Sequence, residues 1–510
     1  MQIIVAIIES MTPGELENVK KGLTQFATKR AKRPGPENST SLKLVEAVLE
    51  HGDNFTDEDY CELMYGNKRD PRFRALKFWI KRRLLELQIS DICLGHNQDL
   101  FIVYKYRIQV KKYLAQTFLY YAKGKGMRVL KFLFDQIIKI GKEYELFEEL
   151  GEAYSLMVFT LNTGDPSIFD EIETKKSYYR KCQYAVDKAS EIYNRRLLLE
   201  ASQRNLPAHQ EEMMLRNALE ELDQISKEIS SVKFNYFHLC LIYDYQLATR
   251  DVVQAEKTAK KLLTIVQKNR LVSNRNRTGK IYGYLCSCSL YLGNYHGVLK
   301  YAKKIKEYIK EGTSNMKLTL IHELQAQIYL SRYEDANETL KLLRIDPTYN
   351  DSERDISQYD YFHSTIHFLQ GRYVECFRIL QGVRDIMDDK AGWNIGVRQL
   401  SFMSLVEMGL RDQASAVVEQ MRKYIERTKS KVEFRERDLI IYSLFAALNR
   451  ADFDFDHSRS NMKKLMDRLS NDNDSIAWQP VSQEIVPVHI WFKEHQRMAL
   501  SKRKKRKNVN

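Results

Sequence analysis

A short turn recurs through the middle of this chain, each time closing one apolar helical stretch and opening another. It reads Leu292-Gly293-Asn294-Tyr295 ahead of Val298, Leu330-Ser331-Arg332-Tyr333 ahead of Ala336, and Leu369-Gln370-Gly371-Arg372-Tyr373 ahead of Cys376. Looser versions are Met408-Gly409-Leu410-Arg411 before Ala414 and Ala248-Thr249-Arg250-Asp251 before Ala255. The compact residues that open each second stretch, from Ala255 to Ala414, lie 43, 38, 40 and 38 residues apart. A period of that length has a physical meaning. One helix hairpin cannot bury both of its faces, so successive hairpins stack and share a core. At such a turn Tyr295, Tyr333 and Tyr373 are expected to wedge between helices, while Val298, Ala336, Cys376 and Ala414 let two backbones approach.

Composition supports an all-α chain. With 21 Gly and 9 Pro in 510 residues, it is poor in turn formers, which excludes a collagen or a many-stranded barrel. At 44% hydrophobic and 29% charged residues it is not disordered throughout. The recurring turns resemble those of the tetratricopeptide repeat, most clearly over 235–425 and more loosely over 100–235. The steps are longer than the family's period of about 34 residues. The first-helix tryptophan is absent, as is the glycine of the turn before Tyr333. The resemblance implies a superhelical array of antiparallel helix pairs whose concave face holds a segment of another protein.

Five blocks follow from the pattern. Residues 1–95 read as a small helical domain. It has a helix from Pro13 to about residue 29 capped by Thr12, a loop over 30–41, and helices over 42–51 and 57–65, the latter capped by Thr56. A longer helix starts at Pro71, with Phe73, Leu76, Ile80, Leu84 and Leu87 on one face. Residues 96–232 read as helical pairs with a possible long hairpin turning at Leu206-Pro207. The repeats occupy 233–450, capping helices carrying Trp491 and Phe492 occupy 451–500, and 501–510 is a flexible basic tail. The apolar opening, Met1 to Ile8, is far shorter than the ~20 residues that span a bilayer, and no transmembrane segment or signal peptide is expected. Seven cysteines, an odd number with no C-x-x-C pair, point to reduced thiols and a cytoplasmic protein.

Net charge is +14, unevenly placed. Residues 68–140 carry 17 basic and 5 acidic side chains, and 257–306 carry 12 basic and none acidic. The tail adds Lys502, Arg503, Lys504, Lys505, Arg506 and Lys507. Candidate contacts for an anionic partner are therefore Arg72, Arg74, Lys77 and Lys81 on the Pro71 helix, Lys268, Arg270, Arg275 and Arg277 in the second zone, and the tail. Tyr104, Tyr106, Tyr113, Tyr120 and Tyr121 interleave with the first zone, where packing between helices is the expected role and stacking on bases the alternative. The Pro71 helix could enter a DNA major groove, but Trp79 and its apolar stripe occupy much of it.

No phosphate loop, dinucleotide fingerprint or nucleophile elbow is present. His363 and His367 stand one turn apart, yet position 364 is serine, so the zinc-protease pattern is missing. Cys286 and Cys288 fall on different helix faces. Neither an enzymatic activity nor a metal or cofactor is expected. The leading expectation is a protein-interaction scaffold or regulator that binds a protein or peptide in its groove. The alternative is nucleic-acid or ribonucleoprotein association through the basic zones.

Overall fold

The computed structural model describes residues 1–9, 11, 13–27, 40–90, 102–124, 127–160, 165–201, 208–345, 351–383, 391–471 and 476–507. Regular structure among them is helical: twenty-three α-helices and one 3-10 turn. The chain divides into two units, Met1–Asn205 with Asn217–His238 and Lys268–Asn274, and Leu206–Arg216 with Leu239–Gln267 and Arg275–Asn510. This division cuts across the 96–232 and 233–450 blocks read from sequence.

The first unit begins with α1 (Gln2–Glu9), α2 (Pro13–Ala27), α3 (Thr40–His51), a 3-10 turn (Gly52–Asn54), α4 (Asp57–Tyr65) and α5 (Pro71–Ser90). One core joins them: Ile4, Val5 and Ile8 pack with Val19, Leu44, Val48, Tyr60, Phe73, Ile80 and Leu84. The apolar opening is thus a core helix. Thr56 caps α4 through a reciprocal box with Asp59, and Gly66 closes it at φ 72. The expected Thr12 cap and most of the 30–41 loop lie outside the described residues.

Next come α6 (Ile102–Ala122), α7 (Met127–Glu143), α8 (Phe147–Thr160), α9 (Pro166–Ala201) and α10 (Ala208–Ser226). Between α7 and α8, Glu145 has φ 48 and the Leu146 N–H donates to the Gly141 carbonyl at 2.9 Å. That is a six-to-one Schellman closure. A methyl on Gly141 would lie 2.6 Å from the buried Leu150 side chain, which would have to shift to admit it. The Glu145 carboxylate accepts from Ser231 Oγ and from the N–H groups of Val232 and Lys233, capping α11 (Val232–Ala248). The Leu206-Pro207 loop falls outside the described residues.

The second unit continues with α12 (Val252–Lys268), α13 (Arg275–Tyr291), α14 (Tyr295–Tyr308), α15 (Ser314–Tyr329), α16 (Tyr333–Ile345), α17 (Glu353–Leu369) and α18 (Tyr373–Gly382). It ends with α19 (Trp393–Glu407), α20 (Arg411–Thr428), α21 (Glu436–Arg450), α22 (Phe455–Leu469) and α23 (Val488–Lys507). The five turns read from sequence all share one geometry. Arg250, Gly293, Ser331, Gly371 and Gly409 have φ between 57 and 72. In each, the next residue's N–H reaches back five residues: Asp251 to Gln246, Asn294 to Ser289, Arg332 to Gln327, Arg372 to His367, and Leu410 to Leu405, at 2.8–2.9 Å. A left-handed residue satisfies the last carbonyls of the first helix and reverses the chain.

Ala255, Val298, Ala336, Cys376 and Ala414 are all fully buried. Tyr295 stacks on Tyr329 at 4.7 Å and Tyr373 meets Phe368 edge-on at 5.3 Å, while Tyr333 packs against the main core. These positions thus lie in the packing between helices. The helices within a pair differ. The second helices bury one stripe, as α14 does with Val298, Ala302 and Ile305. The first helices are buried over wider arcs: α17 buries Tyr359, Tyr361, Phe362, Thr365, Ile366 and Phe368. A helix flanked by neighbours on both sides has no solvent stripe. The result is an all-α array of antiparallel helix pairs of tetratricopeptide-like form.

Two expectations about the C-terminus change. Residues 476–487 hold no helix although capping helices were read over 451–500, because Pro480 and Pro487 interrupt any ladder there. Residues 501–507, read as a flexible tail, continue α23 as helix.

Candidate functional site

The first helices of four successive pairs supply a row of polar groups along one groove. The Tyr329 hydroxyl (α15) donates to the Pro480 carbonyl at 2.7 Å, and the Tyr361 hydroxyl (α17) donates to the Gln483 carbonyl at 2.6 Å. On α19, Gly396 leaves room for that same carbonyl, since a methyl there would stand 2.7 Å from the oxygen. On α21, Arg437 grips Glu484 in fork fashion, Nε to Oε2 at 2.5 Å and Nη2 to Oε1 at 3.0 Å. Its Nη1 donates to the carbonyls of Leu469 and Ile476 at 3.1 and 2.9 Å. Asp438 accepts from the amides of Gln399 and Gln483 at 3.1 and 3.0 Å. Tyr329 also meets the Trp478 ring edge-on at 5.7 Å.

The groove is thus filled by the chain's own segment 476–487. Val481 packs against the core around α13–α15, and Ile485, Val486 and Val488 join the core of α15–α23. Arg437 is 3% and Glu484 1% exposed, so the ion pair is fully desolvated. Burial pushes the Glu484 carboxyl up, against the pull of Arg437. These residues escaped the sequence reading because they come from distant positions with no shared motif. The one local signal was a 13-residue apolar stretch, 476–488, with a single charge and two prolines.

The basic candidates have different surroundings. Arg72 pairs with Asp70 at 2.7 Å and Lys77 with Asp57. Arg82 and Arg83 both hold Glu86. Arg74 and Lys81 are exposed and make no ion pair among the described residues. They share a face of α5 with Phe78, and Trp79 beside them is 62% exposed. Trp79 therefore lies off the apolar stripe of Phe73, Leu76, Ile80, Leu84 and Leu87. Tyr104 and Tyr121 are likewise exposed, whereas Tyr106 stacks on Tyr144 at 4.0 Å. Arg275 is a structural cap: it donates to the Glu307 and Tyr308 carbonyls at 2.8 and 3.0 Å, the open end of α14. Arg277 is half-buried. Lys268 and Arg270 are exposed and belong to the first unit, while Arg275 and Arg277 belong to the second. The side chains of 502–507 lie outside the described residues.

His363 and His367 approach to 3.2 Å between Nε2 atoms, so in the neutral pair one donates to the other. Burial, the His367 ring and the Arg344 charge push His363 down to about 4, and burial alone takes His322 on α15 to about 4. Among the described residues no cluster of three or more His, Cys, Asp or Glu could hold a metal. A histidine whose folded pKa lies below its unfolded value of about 6.5 costs stability as acid is added. The histidine contribution to any fall in denaturation midpoint should therefore lie between pH 6.5 and 4. His363→Gln should flatten part of that slope, and an unchanged slope in both His363→Gln and His322→Gln would refute this assignment.

No family model matches the chain, and no curated protein sequence matches it. Among solved structures, one that matches is a signal-transduction ATPase with numerous domains carrying a tetratricopeptide-repeat sensor, from Pyrococcus horikoshii. The identity is 13%, the match covers 88% of this chain and 72% of that one, and the TM-score is 0.26. A superposition that loose says nothing about this chain's groove. The repeat assignment rests on the five shared turns, and among the described residues no helix is long and apolar enough to cross a membrane.

Proposed function

We propose that this chain is a non-enzymatic, cytoplasmic interaction scaffold that holds an extended segment of a partner protein along its first helices. One observation carries the reading. The groove already holds a non-helical segment, residues 476–487, by tyrosine hydroxyls on main-chain carbonyls, a buried arginine on a carboxylate and apolar contacts between them. Those are the elements by which proteins recognise peptides: main-chain contacts for affinity and side-chain pockets for specificity. A stack of preformed helices offers them with little ordering cost.

Nucleic-acid association is the second reading, favoured by α5. There Phe78 and Trp79 stand exposed between the cations Arg74 and Lys81, which form no ion pair among the described residues, an arrangement suited to stacking and phosphate contact. Affinity capture with the full chain, with and without nuclease and at two salt concentrations, separates the readings. The scaffold reading expects a nuclease-resistant protein, kept at moderate salt, that cross-links to α13–α21 and is indifferent to Arg74→Glu with Lys81→Glu. Recovery that vanishes with nuclease, with salt and with that charge reversal would replace it.

A further inference from the structure

We propose that the tip of the α6–α7 hairpin docks on an anionic lipid bilayer, with its apolar side chains among the headgroups and its cations on the lipid phosphates. The tip belongs to the first unit and shares no residue with the groove, so this surface is additional to the one in the scaffold reading.

Two helix ends build the tip. α6 and α7 bury their facing sides in one core, Val110 and Leu114 with Leu130, Phe134 and Ile137. α6 then ends near Gly124, whose φ is 63 and whose N–H donates to the Tyr121 carbonyl at 3.0 Å. What the core leaves outside is apolar. Phe118, Leu119 and Tyr121 at the end of α6, with Met127 and Phe132 at the start of α7, are each 47–57% exposed. The close approach of Gly141 to Leu150 sets α7 against α8 in a register that carries the last turn of α8 to the same end of the stack, where Phe159 is 70% exposed. Exposed apolar residues are ordinary one at a time, whereas six at one end of a helix stack form the kind of patch that marks an interaction surface.

Charge selects the partner. Residues 100–134 hold eight basic side chains and no acidic one. Arg107 and Lys111 are committed to the buried Glu149, at 2.9 and 3.7 Å. Lys123, Arg128 and Lys131 are exposed at the tip and form no ion pair among the described residues. On α7, Arg128, Lys131 and Phe132 share one face at i, i+3 and i+4. An anionic bilayer satisfies both halves of this surface. Its acyl boundary takes the leucine, methionine and phenylalanines, its phosphates take the cations, and the Tyr121 hydroxyl stays at headgroup level. Nucleic acid would use the rings and the cations but leave Leu119 and Met127 in water. The apolar positions cover only the last or first few residues of each helix, a depth that fits the interface of one leaflet. Apolar insertion and a basic patch together supply the two signals that stable attachment needs.

The test is sedimentation of the full chain with vesicles of phosphatidylcholine alone and of phosphatidylcholine mixed with phosphatidylserine, at about 0.1 M salt. Wild type should pellet with the mixed vesicles and stay in solution with the neutral ones. Arg128→Glu with Lys131→Glu should weaken partition at least about tenfold. Leu119→Ser with Met127→Ser should do the same at least about tenfold while leaving the charge unchanged. All four side chains are exposed, so circular dichroism of both variants should match wild type. A reporter that keeps the tip intact is the second measurement. The emission that Phe118→Trp adds to wild type should shift to the blue on mixed vesicles and be quenched by lipids brominated in the acyl chain. Equal partition into both kinds of vesicle, partition that survives both double substitutions, or a reporter that the bromines leave unquenched would overturn the proposal. Binding of a labelled single-stranded RNA that the charge reversal abolishes, with vesicles ignored, would make nucleic acid the occupant instead. A dimer that Leu119→Ser with Met127→Ser dissolves, again with vesicles ignored, would make it a second copy. Capture of a protein partner in the groove stands or falls separately, because none of these substitutions touches it.

Discussion

Arg437→Met is expected to destabilise the second unit by about 3–5 kcal/mol, the usual cost of breaking a buried ion pair from one side. Arg437 contributes more than a charge. Its guanidinium donates to both Glu484 oxygens, to the carbonyls of Leu469 and Ile476, and contacts His489 Nδ1 at 3.0 Å. Methionine fills similar volume and satisfies none of these groups. Glu484 would then be a desolvated carboxylate whose remaining donor is the Val488 N–H at 2.8 Å. Replacing both partners, as Arg437→Met with Glu484→Leu, should recover much of the loss, because two apolar groups need no hydrogen bonds. Chemical denaturation of the four chains in a double-mutant cycle measures this, and a coupling near zero would refute the account.

The second large effect is expected at Trp491. Trp491→Ala should cost about 3–5 kcal/mol, the range for deleting a buried aromatic ring. The ring is buried in the core of α15–α23, edge-on to Phe455 at 5.6 Å. Its Nε1 donates to Glu407 Oε1 at 2.6 Å, and His495 Nε2 meets the same oxygen at 2.7 Å. Burial pushes the Glu407 carboxyl up, but these two contacts outweigh it and hold the group below the usual carboxylate range. Trp491→Phe keeps most of the packing and loses the donor, so about 1 kcal/mol is expected for it. Thermal unfolding of the three proteins tests the split. Equal losses for Phe and Ala would mean that the hydrogen bond, not the ring, secures α23.

The two effects have a common origin. A helix-pair stack exposes apolar surface at its last member and along its first helices. Here α22 and α23 cover the end, and residues 476–487 cover the first-helix face of the last four pairs. This explains why α17, α19 and α21 are buried over such wide arcs, with Tyr361, Gln399 and Asp438 all nearly inaccessible. The same covering turns the groove from an open surface into an occupied one.

The sequence by itself determined the helical class and the repeat. Turn residues able to adopt positive φ, a compact residue five places later and a period near 40 are local properties, written where they act. The capping of α4 by Thr56 was legible for the same reason. Only the tertiary structure decided which cations are committed. Arg275 looked like part of a basic zone until the end of α14, some thirty residues away in sequence, came to meet it. Trp79 stands one position off the stripe that Ile80 and Leu84 bury, and only the packing shows that its ring is left exposed. Above all, the meeting of Tyr329, Tyr361, Gly396 and Arg437 with residues 480–484 joins points up to 151 residues apart. No local pattern encodes such a groove, because its residues are related by the stacking of helices rather than by position along one of them.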